Sequence, residues 1–131
     1  MSDIARVETT AAPAPAGHYA QAVVHAGIAY LAGQLPVGLD PAAPDAQSIE
    51  AQARQVLRNI DAVLAACGSD RARVLRATVY VVDIALWPRV NAVYAEFFGE
   101  HRPARTVVPV PALHHGFLIE MDVVAAVAEE R

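Results

Sequence analysis

The chain has 131 residues, a length typical of one domain with a modest hydrophobic core. Its net charge is −4 at pH 7, which argues against a nucleic-acid partner, because such proteins normally present a basic surface. Apolar residues make up 55% of the chain and charged residues only 18%. Since small monomers rarely expose large apolar patches, this composition predicts an oligomer that hides apolar surface between subunits.

The sequence also predicts a cytoplasmic protein with no membrane partner. Cys67 is the single cysteine, so no intrachain disulfide can form, as is usual in reducing compartments. Residues 1–17 lack the basic start and the continuous apolar core of a secretory signal. No uninterrupted apolar run approaches the roughly 18 residues that a membrane-spanning helix needs.

Residues 1–131 are expected to form one domain that begins with an extended lead-in over residues 1–17, in which the proline- and alanine-rich residues 8–17 disfavour a regular element. Two strands are predicted next, at Tyr19–His25 and Ala29–Ala32. Gly33 ends the second strand. A glycine at this point permits close approach of a ligand to the backbone.

The rest of the chain alternates helices and strands. The pattern predicts, in order, a helix from the N-cap Ser48 to Gly68, a strand at Val74–Val82, a helix at Trp87–Phe98 and strands at 103–111 and Phe117–Val127, with a frayed tail at 129–131. Helices separate strands only in the middle, so we expect an α+β fold in which both helices pack on one face of a mixed sheet. The opposite face needs a cover, which we expect another subunit to supply.

Arg105 stands at the start of a strand whose alternating prolines fit only a sheet edge or an unpaired side. A guanidinium in apolar surroundings needs an anion, either a protein carboxylate in an internal salt bridge or the carboxylate of a ligand. Glu120 lies inside the last apolar strand. If the last two strands pair as a hairpin, Glu120 and Asp122 lie close to Arg105, where an acid forms a plain ion pair or holds a water.

Other chemistries find no support in the sequence. His114 and His115 are adjacent on a predicted loop and do not converge on one metal, and no zinc motif is present. The motifs of serine nucleophiles, phosphate loops and dinucleotide sites are also missing, so neither a metal nor a cofactor is expected. Taken singly, Tyr19 fits a core aromatic, Asn91 a surface polar residue and Trp87 a packing residue.

Several segments together resemble the RidA family, also called YjgF or L-PSP. They are Gly17-His18-Tyr19-Ala20-Gln21-Ala22, Ala32-Gly33-Gln34-Leu35-Pro36, residues 52–59, Val90-Asn91-Ala92-Val93-Tyr94-Ala95-Glu96-Phe97-Phe98 and Pro103-Ala104-Arg105-Thr106. They occur in the family's order with fitting spacing, and the resemblance runs from about residue 10 to 127.

The resemblance implies a chorismate-mutase-like fold and a homotrimer, with the uncovered sheet faces at the centre and sites in the clefts between subunits. It also implies hydrolysis of reactive 2-imino acids, formed from enamines such as 2-aminoacrylate, to 2-keto acids and ammonia. By this resemblance Arg105 binds the substrate carboxylate and Glu120 positions the hydrolytic water. Tyr19, Gly33 and Asn91 match residues that line the cleft.

Three other functions stay open at this stage. In the first, Arg105 serves a non-catalytic protein that binds a keto acid or an amino acid. An RNA-cleaving or translation-inhibiting activity is also attributed to the family, although the net charge of −4 counts against it. A deaminase for a ring-opened aromatic or pyrimidine breakdown product is the third alternative.

The sequence departs from the family pattern at four places. Ala32 replaces a frequent serine, Val107 a cysteine and His18 a proline, and Leu113-His114-His115-Gly116 replaces a Leu-Pro-Lys-Gly turn. Because the first two changes make the cleft more apolar, we predict a preference for imino acids with side chains larger or more apolar than that of alanine. Hydrolysis rates on the imines of alanine, 2-aminobutyrate and leucine test this preference, and fastest turnover of the alanine imine contradicts it.

Overall fold

A six-stranded mixed sheet carries two helices on one face in the computed structural model, which describes residues 3–128. The elements are β1 (Ala5–Val7), β2 (Ala22–His25), β3 (Ile28–Leu31), α1 (Ile49–Ala66), β4 (Val74–Val81), α2 (Trp87–Phe98), β5 (Ala104–Pro109) and β6 (Ile119–Ala126). The strand order is β1-β2-β3-β6-β4-β5, and only β4 and β5 run parallel. The expected α+β architecture is confirmed.

Local sequence signals set the helix ends. The Ser48 hydroxyl accepts a hydrogen bond from the Ala51 amide and so caps the start of α1. Pro88 lies in the first turn of α2, where its missing N–H costs nothing, and Gly99 ends that helix at a φ of 63°. Trp87, Asn91 and Tyr94 follow one another at spacings of four and three, so one side of α2 presents all three towards β5.

Alternation along β4 and β6 divides the sheet into two chemically different faces. The covered face packs Ala77, Val79 and Val81 with Ile119, Met121 and Val123, all at most 1% exposed, against the helices. The opposite face carries mostly polar side chains, which are Arg76, Thr78, Tyr80, Glu120 and Asp122. This second face is open in the single chain. Among residues 3–128, no helix is long and apolar enough to cross a membrane.

One expectation about the start of the chain needs correction. The lead-in is not wholly irregular, because Ala5–Val7 pairs with β2 as an extra edge strand, and the buried amide of Gln21 then holds the backbone of Thr9 and Pro13. The tail expected at residues 129–131 lies outside the described residues.

The last two strands do not form a hairpin. The arginine strand β5 is an edge strand, as its prolines indicated, but β4 lies between it and β6. A parallel partner needs a crossover connection, and α2 supplies it between β4 and β5. The prediction that a hairpin of the last two strands places Glu120 close to Arg105 is therefore wrong within a single chain.

Candidate active site

Arg105 is held in place by three side chains of α2. Its Nη1 donates a hydrogen bond of 2.9 Å to Oδ1 of Asn91. Its guanidinium carbon lies 4.5 Å from the ring centroid of Trp87 and 4.9 Å from that of Tyr94. Cation–π contacts at exposed sites contribute about 0.5–1 kcal/mol each, so the two rings hold the guanidinium without neutralising it.

The described part of the chain leaves the charge of the Arg105 guanidinium unneutralised, so the group is available to bind an anion. Within residues 3–128, no carboxylate lies within 4.0 Å of Arg105, whereas Arg71 and Arg89 pair with Asp61 and Glu50. A cavity of about 570 Å³ opens beside it and is also lined by Asn91 and Tyr94. An anion that enters this cavity meets an oriented planar donor set, which suits two parallel hydrogen bonds to a carboxylate.

Tyr94 carries a buried hydroxyl with no hydrogen-bond partner among the described residues. Burial raises the pKa of this phenol, and the neighbouring charge of Arg105 opposes that rise. The hydroxyl therefore stays protonated at neutral pH, and the ring serves Arg105 as a neutral aromatic face.

Glu120 lies on the open face of β6, in a separate cavity of about 540 Å³. The walls come from the lead-in, the segment after β3 and the turn before β6, and the lining residues are Ala16, Gly17, Tyr19, Ala32, Gly33, Leu35, His114, His115 and Glu120. Tyr19 is 50% exposed, so it is not the core aromatic that its isolated pattern allowed. The sequence-predicted residues Tyr19, Gly33 and Glu120 thus meet in one cavity.

Gly33 lets the Glu120 carboxylate lie against the backbone. Gln34 and Met121 exchange two backbone hydrogen bonds of 2.8 and 3.1 Å, which fix this segment beside β6. A β-carbon added at Gly33 would overlap Oε2 of Glu120. The glycine is needed here for this close approach and not for an unusual backbone angle.

The environment of Glu120 favours its neutral form. Burial raises the pKa of the carboxyl, the positive charge of His114 opposes the rise, and the charge of Asp122 adds to it. Burial also raises the pKa of Asp122, whose Oδ2 accepts a hydrogen bond of 3.3 Å from the Tyr80 hydroxyl. A carboxyl with a raised pKa is a stronger base than an ordinary glutamate once it is ionised.

The two cavities lie on different faces of the sheet. Arg105 is aligned with the buried Ala77 of β4, whereas Glu120 is aligned with Tyr80 on the open face. One chain therefore presents an arginine half-site, made by Arg105 and Asn91, and a glutamate half-site, made by Glu120, Tyr19 and Gly33. Within residues 3–128, no three His, Cys, Asp or Glu side chains are grouped to hold a metal ion.

Sequence reasoning missed three neighbours of these half-sites. The contacts of Trp87 and Tyr94 with Arg105 were not predicted, although their spacing from Asn91 places all three on one side of α2. His114 was assigned to an exposed loop, which is correct for its exposure but hides its place on the wall of the Glu120 cavity. For His114, the available signal in the sequence was the replacement of the family's Leu-Pro-Lys-Gly turn at residues 113–116.

Comparison with known proteins identifies similar chains along almost the whole length. The family model described as Endoribonuclease L-PSP matches residues 9–127. A RutC family protein of Pyrococcus horikoshii is 40% identical over 117 residues, which are 89% of this chain and 93% of the relative. The 2-iminobutanoate/2-iminopropanoate deaminase of Bos taurus is 38% identical over 129 residues, or 95% of this chain and 93% of the relative.

A solved structure shares the fold closely. A protein of the conserved Rid family from Yersinia pestis superimposes with a TM-score of 0.86 at 39% identity, covering 95% of this chain and 100% of that one. The family-model match over residues 9–127 includes both half-sites, which lie between residues 16 and 120.

Gly33→Ala should displace the Glu120 carboxylate while leaving the fold intact. The added methyl group overlaps the end of a flexible side chain, which can rotate away at little cost in stability. Gly17→Ala is the matched control, because its β-carbon meets the Tyr19 ring at an ordinary 3.7 Å. Thermal unfolding and a carbon-13 NMR titration of the Glu120 carboxyl measure the two effects. An unshifted Glu120 titration in Gly33→Ala contradicts the close approach.

Proposed function

The chain belongs to the Rid family of endoribonuclease L-PSP-like proteins, and on that premise we propose that it hydrolyses 2-imino acids to 2-keto acids and ammonia. The observation that carries the proposal is the pair of half-sites, one with an unneutralised arginine and the other with a partly buried carboxyl. The bovine relative is named as a deaminase of such imines.

Arg105 binds the carboxylate of the imino acid. Two parallel N–H···O bonds fix the plane of that carboxylate, and each charge-assisted bond contributes about 1.5–3 kcal/mol. Asn91 and the Trp87 ring hold the guanidinium before the substrate arrives, so little side-chain entropy is lost on binding. The grip places the adjacent C=N carbon at a defined position, and catalysis then depends on positioning.

Glu120 activates the water that attacks this carbon. The carboxylate accepts a proton from the water as the oxygen bonds to carbon, and the C=N electron pair moves to nitrogen. The substrate is already electrophilic, so the step needs only an oriented base. Gly33 and Tyr19 shape the cavity in which the water and the C=N group meet.

Two copies of the chain are required for one complete site. Arg105 and Glu120 face opposite sides of the sheet in one chain, and one substrate of a few heavy atoms cannot reach both. A second copy that covers the open face brings its own β5 edge towards Glu120. We propose the closed homotrimer expected from the family resemblance, with three equivalent clefts and the open faces at its centre.

RNA cleavage is the second candidate, because the description of the matching family model carries that activity. Phosphate binding by a chain of net charge −4 requires local clusters of arginines, and its affinity falls steeply with salt. Imine hydrolysis by Arg105 involves one carboxylate and is much less sensitive to salt. Activity on RNA that Arg105→Ala leaves unchanged would separate the two functions.

Arg105→Ala is expected to lose imine hydrolysis by about 10²-fold or more, since the substrate carboxylate then has no anchor. An amino-acid oxidase generates the imine in place, and semicarbazide competes with the protein for it. The wild type should suppress the semicarbazide adduct and Arg105→Ala should not. Arg54→Ala is the matched control, because Arg54 is an exposed arginine on α1 outside both half-sites. Equal suppression by wild type and Arg105→Ala contradicts the proposed role.

The pH dependence should report Glu120. A base must be ionised, so kcat/KM rises with pH through the raised pKa of Glu120, above the usual glutamate range. Because the pKa of Glu120 is raised in the folded state, the protonated carboxyl stabilises the folded protein. This stabilisation is fully present below the unfolded-state pKa and is lost as the pH rises through the folded-state pKa. Glu120→Gln removes the base and should abolish the activity. Because its amide carries no charge at pH 7, the variant should also unfold at a higher temperature than wild type. Wild-type activity in Glu120→Gln contradicts the assignment.

A further inference from the structure

His114 lies on the wall of the cavity that contains Glu120. The two side chains line the same space of about 540 Å³, and the charge of His114 acts directly on the Glu120 carboxyl. His114 is exposed in the single chain and lines this cavity. The proposed mechanism uses Glu120 as a base and assigns no role to His114.

The turn that carries His114 has a defined shape. Residues His114–Gly116 form one short helical turn, closed by a hydrogen bond of 3.2 Å from the Phe117 amide to the His114 carbonyl. His115 adopts a left-handed backbone with φ of 60°, and its ring packs edge-on against Phe117 at 5.9 Å. These contacts fix the turn just before β6, the strand that carries Glu120.

We propose that His114 is a second catalytic residue, whose imidazolium protonates the departing nitrogen of the substrate. This inference rests on the proposed function and completes it. Attack of water leaves a carbinolamine, in which an amino group is a poor leaving group until it gains a proton. Glu120 has by then accepted a proton from the water, and a histidine is the side chain best suited to donate another near neutral pH.

The proton balance closes over one turnover of the protonated imine. Water adds to carbon and gives one proton to Glu120, and the C=N pair becomes a lone pair on nitrogen. His114 then donates its proton to that nitrogen. The C–N bond breaks with its electrons leaving on ammonia, while the hydroxyl O–H pair forms C=O and its proton returns to His114. Ammonia takes the proton from Glu120 and departs as ammonium, so both residues are restored.

Other titratable groups surround the pair. They are Asp122 on β6, Tyr80 and Arg76 on β4, Tyr19 from the lead-in and His115 on the same turn. Tyr80 binds Asp122 and not Glu120, and Arg76 acts on the Tyr80–Asp122 pair. His114 is thus the basic side chain whose charge is coupled to Glu120 itself.

Steady-state hydrolysis by His114→Asn tests the proposal. We expect kcat to fall by about 10²-fold with little change in KM, because the carboxylate anchor Arg105 is untouched. Imidazole added to His114→Asn should restore part of the rate, which a merely structural role would not produce.

His25→Asn is the control, since His25 lies on β2 outside both half-sites. Thermal unfolding shows whether each variant is folded. If the wild type is active and Arg105→Ala is not, an unchanged kcat in His114→Asn overturns this inference alone. A loss in His114→Asn that imidazole does not relieve also overturns it. Absence of turnover by the wild type overturns the proposed function together with it.

Discussion

The insertion of β4 between β5 and β6 determines how this chain can use its two most informative side chains. Sheet pairing places Arg105 level with Ala77 and Glu120 level with Tyr80, and the pleat then directs them to opposite faces. Their separation is a property of backbone topology, so no side-chain rotation removes it. A function that needs a carboxylate anchor and a base around one small substrate therefore has to be built between copies of the chain.

Each half-site keeps a group in a state that folding alone would avoid. Arg105 is stacked and hydrogen-bonded but has no carboxylate within 4.0 Å in the described part of the chain. Glu120 is partly buried beside a second acid, which raises its pKa. The remaining core is conventional, with α1 and α2 packed on the apolar face of the sheet. An unneutralised arginine and a carboxyl with a raised pKa on an apolar support are typical of a binding or catalytic site.

The sequence predicted the local elements well because their signals are local. Ser48, Pro88 and Gly99 mark helix ends, and alternation along Val74–Val81 separates the two faces of the sheet. The prolines of β5 correctly predicted an edge. Strand order was not predictable in the same way, because it depends on which distant strands pair. Nothing in residues 104–126 specifies that β4 enters between the last two strands.

The candidate site was predictable only in part for a related reason. Family resemblance supplied Arg105, Glu120, Tyr19, Gly33 and Asn91, and the fold brings them together as two groups rather than one. The contacts of Arg105 with Trp87 and Tyr94 depend on how α2 packs over β5. Hydrophobic periodicity along the sequence does not predict that packing. His114 depends on the conformation of a three-residue turn. Such contacts are decided by tertiary packing.

Subunit complementation tests the central claim, that one site is shared by two copies. Arg105→Ala and Glu120→Gln variants, each inactive alone, are mixed in equal amounts, unfolded and refolded together, and assayed for imine hydrolysis. A cleft is intact where one variant supplies Glu120 and its neighbour supplies Arg105, so random trimers should regain about a quarter of wild-type activity. No recovery, with chain exchange verified by native mass spectrometry, would contradict the shared site.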